Sequence, residues 1–540
     1  MKLIHNFCLG AFAFLAISTA SAQKKAATIL DINKIPAKVA PISENDLKRW
    51  SHLDLIKDTI PGMSVDKAYS ELLKGKKGSK VIVGVIDSGV DIEHEDLAAV
   101  IWKNPKEIAG NNIDDDKNGY VDDVHGWNFL GKSTDENLEM TRILKNPDDG
   151  SAAYKAAKAD FDKNFGEAMS AKQQVDFIFN AKDLVSRHLK KPTFTLDEVK
   201  SIDSKETAVA QAKQIIISIM MQTGDTFDSE VNAFKEHVYD MIDYNLNLQY
   251  DGRKVVGDNV NDINDKNYGD NNVMGPDKKD ALHGTHVAGI IAQGRVNGKG
   301  GDGVASNVEI MAVRAVPNGD EYDKDIALAI RYAVDNGAKV INGSFGKSHS
   351  PHKEWVYDAI KYAASKDVLL VHAAGNDGQD IDLPENKNYP TDTNDNGATE
   401  FSDNVLTVGA LNTTFDSNII APFSNYGQKN VDVYAPGMKI YATVPENKYL
   451  YEQGTSMASP NAAGVAAIIR SYYPNLSAKQ VKFILMESGT ALTKEVVLGE
   501  TEEKRPFSKA SRSGKFVNAH SALIMAEKMS KGKLTTQLKG

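Results

Sequence analysis

Three short motifs carry side chains that could act together as a nucleophile and its activating groups. Asp87 follows the apolar run of residues 81–86, His283 begins the segment His-Gly-Thr-His, and Ser456 lies within Gly-Thr-Ser-Met-Ala. A serine hydroxyl attacks poorly at neutral pH unless a base takes its proton. Imidazole titrates closest to neutrality, and a carboxylate can fix its tautomer and stabilise its charged form. This trio of residue types is suited to acyl transfer.

Each of these residues also has a plainer interpretation. An aspartate at a strand end is often a turn former or a helix cap, and Ser456 could simply cap the apolar helix that follows it. We place Pro460 in the first turn of that helix, where its missing N–H does no harm. His283 and His286 could form a metal pair, although no acidic ligand follows at helical spacing. His286 could instead be buried and hydrogen-bonded.

Taken together, the motifs resemble those of the subtilisin-like serine peptidases, the subtilases. The acid, the histidine and the serine occur in the chain order of that family. The resemblance implies that Asp87 orients the imidazole, that His283 acts as general base and then as general acid, and that Ser456 is the nucleophile. It covers roughly residues 75–105 and 280–525.

A fourth motif, residues 372–378, resembles the oxyanion-hole segment of the same family. The resemblance implies that the side-chain N–H of Asn376 stabilises the tetrahedral oxyanion beside the backbone N–H of Ser456. Taken alone, Asn-Asp-Gly would indicate only a turn.

A fifth motif is similar to the segment with which subtilases bind the substrate main chain. It consists of Ser344, Phe345 and Gly346, and such strand addition tolerates many substrate sequences. Phe345 and Gly343 differ from the residues that are common in the family. The resemblance therefore implies no preference for a particular substrate side chain.

The acidic segment from Asp114 to Asp123 has the spacing of the opening of a calcium-binding loop. His125 replaces the final glutamate of that pattern. Because subtilases often carry structural calcium, we predict a bound Ca²⁺, and a solvated acidic turn is the alternative. The expected ligands are Asp114, Asp116, Asn118, the backbone carbonyl of Tyr120, and Asp122.

The elements around the motifs are those of a doubly wound α/β fold. Residues 81–86 are apolar and β-branched without polar alternation, which is typical of a strand buried on both faces. Such βα units predict a mostly parallel sheet with helices on both faces and a site at the carboxyl ends of the strands. Further strands are predicted at 308–316, 339–341, 368–371, 405–408 and 431–434, and helices at 324–336 and 352–366.

Length and composition limit the number of domains and the classes of protein that are possible. The chain has 540 residues, which corresponds to three or four domains at roughly 150 residues each. Its net charge of −10 gives no basic excess for nucleic acid. A single cysteine, Cys8, excludes a disulfide scaffold. We expect no organic cofactor, no membrane span and a monomer.

The sequence divides into a peptidase domain and the segments around it. A positive start, a short apolar core and small residues before Ala22 are typical of a signal peptide, although a buried apolar helix is the alternative. The predicted segments are a signal peptide at 1–22, a leader or short propeptide-like segment at 23–72, a peptidase domain at 73–136 and 249–530, a helical insertion at 137–248, and a polar tail at 531–540.

The insertion accounts for the surplus length, because it separates Asp87 from His283. Its apolar residues recur at helical spacing, for example at Val231, Phe234 and Val238. Both of its ends lead to candidate catalytic residues, so we predict that it lies at the cleft rim and gates or recruits substrate. The leader is short for an independent inhibitory domain. It is either a reduced propeptide, or the insertion takes over part of that role.

The resemblance implies a serine endopeptidase that hydrolyses peptide bonds of polypeptide substrates through an acyl-enzyme, and the predicted signal peptide implies a secreted or periplasmic location. Two other functions stay open at this point. One is a catalytically silent relative that binds peptides or partners. The other is an esterase that uses the same triad.

Overall fold

The computed structural model describes residues 41–393, 399–499 and 504–535, together with Ile35 and Lys38. The predicted signal peptide, residues 1–22, lies outside the described residues. The β-strands are β1 (Val81–Asp87), β2 (Gly126–Asn128), β3 (Val308–Arg314), β4 (Val340–Gly343), β5 (Leu369–Ala373), β6 (Val405–Leu411), β7 (Val433–Pro436), β8 (Ile440–Val444), β9 (Lys448–Glu452), β10 (Thr490–Ala491), β11 (Glu495–Val497), β12 (Lys504–Pro506) and β13 (Lys515–Phe516).

The α-helices are α1 (Glu44–Leu47), α2 (Leu55–Asp58), α3 (Val65–Lys67), α4 (Glu139–Leu144), α5 (Ala152–Leu189), α6 (Leu196–Lys200), α7 (Thr207–Thr223), α8 (Phe227–Asp240), α9 (Leu282–Ala292), α10 (Asp323–Asp335), α11 (Lys353–Ser365), α12 (Thr455–Tyr472), α13 (Ala478–Glu487) and α14 (Ala519–Ser530). Among the helices of the described residues, none combines the length and the apolar character needed to cross a membrane.

The centre of the molecule is a nine-stranded sheet in the order β10-β13-β7-β6-β5-β4-β1-β3-β2. Its neighbouring strands are parallel except for β10 and β13. β1 lies between β3 and β4, so the strand order reverses there, and a doubly wound sheet opens a crevice at such a reversal. Asp87 ends β1 and Ser344 follows β4 at the two sides of this crevice. The predicted α/β fold with a mostly parallel sheet is confirmed.

The apolar run of β1 is buried on both faces because successive side chains of a strand point in opposite directions. Val83 and Val85 belong to one hydrophobic core, together with residues of α9, α12, α13 and α14. Ile86 belongs to a second core, together with residues of α10 and α11. Helices therefore cover both faces of the sheet.

Residues 41–72, the continuous described part of the predicted leader, contribute side chains to the first of these cores. Trp50 is 1% exposed, and its indole N–H donates to the carbonyl oxygen of Met438 at 3.0 Å. Met63 is fully buried, and its carbonyl oxygen accepts the N–H of Ala519 at the start of α14 at 2.7 Å. In the described chain the residues on both sides of residue 72, the predicted end of the leader, therefore share one hydrophobic core.

The segment between β2 and α9 contains α4 to α8. Helix α5 has 38 residues, which corresponds to about 57 Å at 1.5 Å per residue. The helices enclose two small hydrophobic cores that are separate from the sheet, one around Val185 and Ile216 and one around Met140 and Leu246.

The chain enters and leaves this helical segment at neighbouring positions. The N–H of Leu138 donates to the carbonyl oxygen of Asn245 at 3.0 Å. The hydroxyl of Thr141 donates to the same carbonyl oxygen at 2.8 Å. These hydrogen bonds close the base of the helical segment.

Candidate active site

Asp87 and His283 are in contact at the carboxyl edge of the sheet. Asp87 is the last residue of β1, and its side chain is 1% exposed. His283 is the second residue of α9, and its Nδ1 lies 2.6 Å from Oδ1 of Asp87. A carboxylate oxygen accepts, so this contact favours the tautomer with the proton on Nδ1 and leaves Nε2 as the free base. The fold thus joins two residues that are 196 positions apart.

The surroundings of the His283 ring act on its pKa in opposite directions. Burial lowers the pKa, whereas the charge and the hydrogen bond of Asp87 raise it, and the negative charge of Glu452 adds to the rise. The net result is a pKa above the ordinary value. The imidazolium that would form when Nε2 takes a proton is therefore stabilised.

Ser456 is the second residue of α12, where the backbone N–H groups of a first helical turn have no helical acceptors. Its hydroxyl donates to the carbonyl oxygen of Ser344 at 3.3 Å. Within the described ranges no hydrogen bond joins Ser456 to His283. Catalytic hydrogen bonds are often long or unformed before substrate binds. The structure thus brings Ser456 to the strand edge with its hydroxyl turned toward Ser344.

Pro460 links Ser456 to the segment after β4. Helix α12 begins at Thr455, so Pro460 is its sixth residue, and its predicted place in the first turn is wrong. Because proline has no N–H, the carbonyl oxygen of Ser456 lacks its helical donor. The hydroxyl of Ser344 donates to this oxygen at 2.8 Å instead. This hydrogen bond therefore joins α12 to the segment after β4 at Ser456, the candidate nucleophile.

The Ser344 hydroxyl is itself held by a buried hydrogen-bond chain. It accepts from Nδ2 of Asn342 at 2.9 Å. Oδ1 of Asn342 accepts in turn from the hydroxyl of Ser459 at 2.8 Å. Asn342 and Ser459 are both fully buried. These contacts fix the orientation of Ser344.

Asn376 follows β5 and faces the start of α12. Its Oδ1 accepts from the backbone N–H of Thr455 at 2.8 Å and from the hydroxyl of Thr455 at 3.0 Å. A backbone N–H can only donate, so this contact settles which side-chain atom of Asn376 is oxygen. Nδ2 is left as a donor, for which the described part of the chain shows no acceptor.

Gly454 keeps space open in front of this donor. Its φ is +150°, and a Cβ added to it would lie 3.5 Å from the backbone N of Ser456, 3.6 Å from Nδ2 of Asn376 and 3.7 Å from its Oδ1. The two nitrogens therefore flank one small volume. A tetrahedral oxyanion requires such a pair of convergent N–H donors.

The segment Ser344–Gly346 leads from β4 to Lys347. The backbone N–H of Lys347 donates to the carbonyl oxygen of Tyr389 at 3.2 Å, and the reverse hydrogen bond is 2.9 Å long. The side chain of Phe345 is buried in the second core near the ring of His372, and the residue is 7% exposed. Phe345 is thus a core side chain, which leaves its main chain as the part that a peptide could meet.

His286 is a buried structural histidine and not part of a metal pair. It is fully buried, and its Nε2 lies 3.0 Å from the carbonyl oxygen of Ile440 and 3.2 Å from that of Leu450. Burial lowers the pKa of His286 to about 4. The ring therefore stays neutral and fastens α9 to the hairpin of β8 and β9.

Two of the predicted calcium ligands, Asp114 and Asp116, lie together with Glu107. Their carboxylate oxygens are within 4.8 Å of one another. Oε1 of Glu107 accepts the N–H of Asp116 at 3.1 Å, whereas Oε2 is buried without a hydrogen-bond partner among the described residues. Glu107 lies outside the spacing of the loop pattern, so no sequence signal pointed to it. This set of oxygens suits a hard cation.

The other predicted ligands take part in hydrogen bonds with the backbone of this loop. Oδ1 of Asp122 accepts the N–H groups of Gly110 and Asn111 at 2.9 and 3.3 Å, and Oδ2 accepts that of Asn112 at 2.7 Å. Asp122 therefore caps a neighbouring turn, and its carboxylate is not part of the cluster of Glu107, Asp114 and Asp116; its role as a calcium ligand stays a prediction. Oδ1 of Asn118 and the N–H of Tyr120 form a hydrogen bond of 2.8 Å within the turn after Asp116.

A cavity of about 1770 Å³ lies between the helical segment and the sheet domain. Its lining includes parts of α4 and α5, residues 348–353 and Tyr389. Asp87, His283 and Ser456 do not contribute to its lining. The cavity is therefore separate from these three residues, and it adjoins the chain that leaves the segment Ser344–Gly346.

Comparisons with known proteins bear on the family of this chain. The model of the subtilase family matches residues 78–507. The chain is 44% identical over 190 residues to a thermophilic serine proteinase of Bacillus sp. (strain AK1), which covers 35% of this chain and 42% of that protein. It is 37% identical over 211 residues to subtilisin DY of Bacillus licheniformis, which covers 39% of this chain and 71% of that protein.

The chain spans less than half the length of the thermophilic proteinase that it matches. A solved structure of a protease from Pseudoalteromonas arctica aligns with 89% of this chain and 97% of its own, at 20% sequence identity and a TM-score of 0.46.

Proposed function

Because the chain belongs to the subtilase family, we propose that it is a serine endopeptidase that hydrolyses peptide bonds through an acyl-enzyme. One observation carries the proposal: the contact of 2.6 Å between Nδ1 of His283 and Oδ1 of Asp87 leaves Nε2 of His283 as a base. In this proposal Ser456 is the nucleophile, and Asn376 supplies one donor of the oxyanion hole.

Acylation begins when Oγ of Ser456 attacks the carbonyl carbon of the scissile peptide bond. Its hydroxyl turns from Ser344 toward His283, and Nε2 takes the proton. The oxyanion accepts hydrogen bonds from the backbone N–H of Ser456 and from the side-chain N–H of Asn376. These bonds stabilise the tetrahedral intermediate more than they stabilise the planar carbonyl of the substrate. His283 then gives the proton to the leaving amine, the C–N bond breaks, and an ester with Ser456 is formed.

Deacylation repeats these steps with water. His283 takes a proton from water as the water oxygen attacks the ester carbon. The C–O bond to Ser456 breaks, and Oγ of Ser456 recovers its proton from His283. Asp87 stabilises the imidazolium in both stages without taking its proton.

The proposed substrates are polypeptides bound along their main chain by the segment Ser344–Gly346. An extended peptide that adds as a strand gains affinity from backbone hydrogen bonds and needs no particular side chain. The buried side chain of Phe345 is consistent with this mode of binding.

The test is labelling of the chain by a fluorophosphonate together with cleavage of casein, each compared with Ser456→Ala. Both activities are expected in the parent and neither in the variant. Labelling without casein cleavage would favour the esterase. Absence of both in the parent would favour a silent peptide-binding relative.

We also propose a structural Ca²⁺ at Glu107, Asp114 and Asp116. The buried, unpartnered Oε2 of Glu107 supports the fit, since a buried carboxylate oxygen without a donor is costly. Lys106 lies 3.7 Å from Asp116, but its side chain is 65% exposed and can turn away. When bound, the ion would hold the turn of residues 114–119 against Glu107.

For localisation we propose a secreted or periplasmic protein whose signal peptide is cleaved after Ala22. We further propose that residues 41–72 stay in the mature enzyme, because Trp50 and Met63 are buried in its main core. N-terminal sequencing of the secreted form is expected to give a start before residue 41. A start after Trp50 would contradict this proposal.

We propose finally that the insertion 137–248 forms a wall beside the substrate-binding cleft. The cavity of about 1770 Å³ between the insertion and residues 348–353 supports this position. The insertion would then recruit or restrict polypeptides without taking part in the chemistry at Ser456.

A further inference from the structure

A buried lysine joins the substrate-binding segment to the insertion. Lys347 follows Gly346, and its side chain is 2% exposed. Its Nζ donates to Oε2 of Glu139 at 2.7 Å and to the carbonyl oxygen of Glu321 at 2.8 Å, and lies 2.9 Å from Oδ1 of Asp323. An ammonium has three N–H donors, and each of them has an acceptor in this arrangement.

Glu139 is the first residue of α4 and therefore belongs to the insertion. Its backbone N–H donates to Oδ2 of Asp320 at 2.7 Å, and its Oε2 also accepts from Arg142 at 2.6 Å. Burial raises the pKa of Glu139, but the charges and hydrogen bonds of Arg142 and Lys347 outweigh burial and hold the pKa at about 2. Glu139 thus stays ionised near neutral pH and remains the counter-ion of Lys347.

A second contact follows two residues later in the chain. Nε2 of His349 lies 2.8 Å from Oδ2 of Asp160 on α5. The side chain of His349 is 13% exposed and that of Asp160 is 46% exposed, so this pair is closer to solvent than the pair of Lys347. Two helices of the insertion therefore hold the chain that leaves Gly346.

The main chain at Lys347 is fixed as well, through its two hydrogen bonds with Tyr389. If Glu139 were neutral, the buried ammonium would lose one ionic partner, and the surrounding chain would shift to compensate. Gly346 is directly attached to Lys347, so such a shift reaches the segment proposed to bind the substrate main chain. Small displacements of groups that position substrate have large effects on an enzyme.

We infer that Lys347 is a positioning residue for substrate binding and that Glu139 of the insertion completes its ion pair. The insertion thereby holds the segment Ser344–Gly346 in the conformation that pairs with a peptide. This inference rests on the proposed peptidase function and adds the residues through which the insertion acts on it. Neither Lys347 nor Glu139 contacts Ser456 or His283 in the described hydrogen bonds and ion pairs.

Glu139→Gln tests this coupling because it keeps the shape of the side chain and removes its charge. The KM of a chromogenic peptide long enough to pair with Ser344–Gly346 is expected to rise about tenfold, while kcat changes little. The rate of labelling of Ser456 by a small fluorophosphonate should stay the same, because that reagent does not pair with the main chain of the segment, and Asn342 holds Ser344 independently of Lys347. Lys347→Arg, which retains the charge, should keep most of the parent's KM, whereas Lys347→Gln should not.

The matched control is Asp240→Asn. Asp240 accepts from Nδ2 of Asn318 at 3.0 Å and so connects the insertion to the sheet domain away from Lys347. Its KM should equal that of the parent. If Glu139→Gln does not fold, Asp160→Asn decides the question, with an expected rise in KM of about threefold because the contact of Asp160 with His349 is more exposed.

An unchanged KM in the folded variants would overturn the inference. Equal losses in peptide cleavage and in fluorophosphonate labelling would overturn it too, because they indicate a general structural role. Absence of both activities in the parent chain would overturn the proposed peptidase function, and this inference with it.

Discussion

Two N–H groups flank the space in front of Gly454, and they are held in different ways. The N–H of Ser456 is part of the first turn of α12. Nδ2 of Asn376 is held only indirectly, through the contacts of Oδ1 with Thr455. Donors fixed in advance stabilise a developing charge without further reorganisation. The effect of Asn376 should therefore depend on Thr455.

Asn376→Ala is expected to lower kcat about 10²- to 10³-fold, the size of effect known for such a donor in subtilisin, with little change in KM. Thr455→Val removes only the hydroxyl contact and keeps the backbone N–H, so its loss in kcat should be smaller. Steady-state kinetics on a peptide substrate measure both. A variant Asn376→Ala that loses mainly affinity would contradict the proposed role.

The pH dependence of activity reports on the surroundings of His283. The proposed base must be neutral, so kcat/KM should rise with pH through the pKa of His283. The negative charge of Glu452 raises that pKa. In Glu452→Gln the pKa should therefore fall, and the acid limb of the pH profile should move to lower pH.

The control for this prediction is Glu446→Gln. Glu446 lies in the turn between β8 and β9, the hairpin that carries Glu452, and its exposed side chain is paired with Lys448. Its profile should match that of the parent. An acid limb of Glu452→Gln that stays in place or moves to higher pH would contradict the electrostatic explanation.

Residues within long motifs could be predicted from the sequence, whereas their supporting contacts could not. The motifs placed Asp87 and His283 at the ends of elements that the sheet then brought together. The hydrogen bond from Ser344 to the carbonyl oxygen of Ser456 depends on where α12 begins and on Pro460. Local spacing carries no information about such a contact between distant segments.

At the scale of elements, the turn of residues 114–119 should depend on calcium. Calcium is expected to raise the melting temperature of the parent, and Asp114→Ala, Asp116→Ala and Glu107→Gln should each lose that rise. Asp122→Asn should keep it, because Asp122 caps the turn at Gly110–Asn112. Thermal unfolding with and without a chelator measures this response. An unchanged response in Asp114→Ala would contradict the site.

The stretch around Trp50 should stabilise the whole peptidase unit. Trp50 is 1% exposed and lies in the core of the sheet. Trp50→Ala is expected to lower the free energy of unfolding by about 3–5 kcal/mol. Ile56→Ala is a suitable control because Ile56 is 49% exposed, and its effect should be within about 0.5 kcal/mol. Urea unfolding of both variants checks the difference, and equal effects would contradict the role of Trp50.

Helices and strands with a strong hydrophobic pattern were predicted close to their observed positions. Very short strands were not predicted. The helices predicted at 324–336 and 352–366 are α10 and α11, displaced by one residue at most. Strand β2 has only three residues and begins with Gly126, where a Cβ would lie 1.7 Å from the carbonyl oxygen of Ala312. In sequence a glycine there indicates a turn, so the need for close approach of two strands stays hidden.

At the scale of the whole molecule, the insertion should be separable from the chemistry. Its ends meet at Leu138 and Asn245, so a short glycine-serine linker can replace residues 137–248. The shortened chain is expected to fold and to react with a fluorophosphonate at the parent's rate. Its KM for extended peptides should rise, because Lys347 loses Glu139.

Circular dichroism, labelling and peptide kinetics measure these three properties of the shortened chain. If it cleaves casein and small peptides like the parent, the insertion has no role in substrate binding. The sequence indicated the length and helical character of this segment. Its attachment to Lys347 and His349 depends on the folded path of both partners, which periodicity does not encode.

The discontinuous sheet also sets an order of events during synthesis. Among the described residues strand β1 pairs only with β3 and β4, and β3 begins about 220 residues after β1 ends. At roughly 5–20 residues per second, the ribosome needs about 10–45 s to supply that partner. During this interval the helices of the insertion can form from local contacts. The backbone groups of the apolar strand β1 have no partner strand yet. The strand that ends in Asp87 is thus synthesised early but acquires its neighbouring strands late. The nascent chain must be kept from aggregating until β3 emerges.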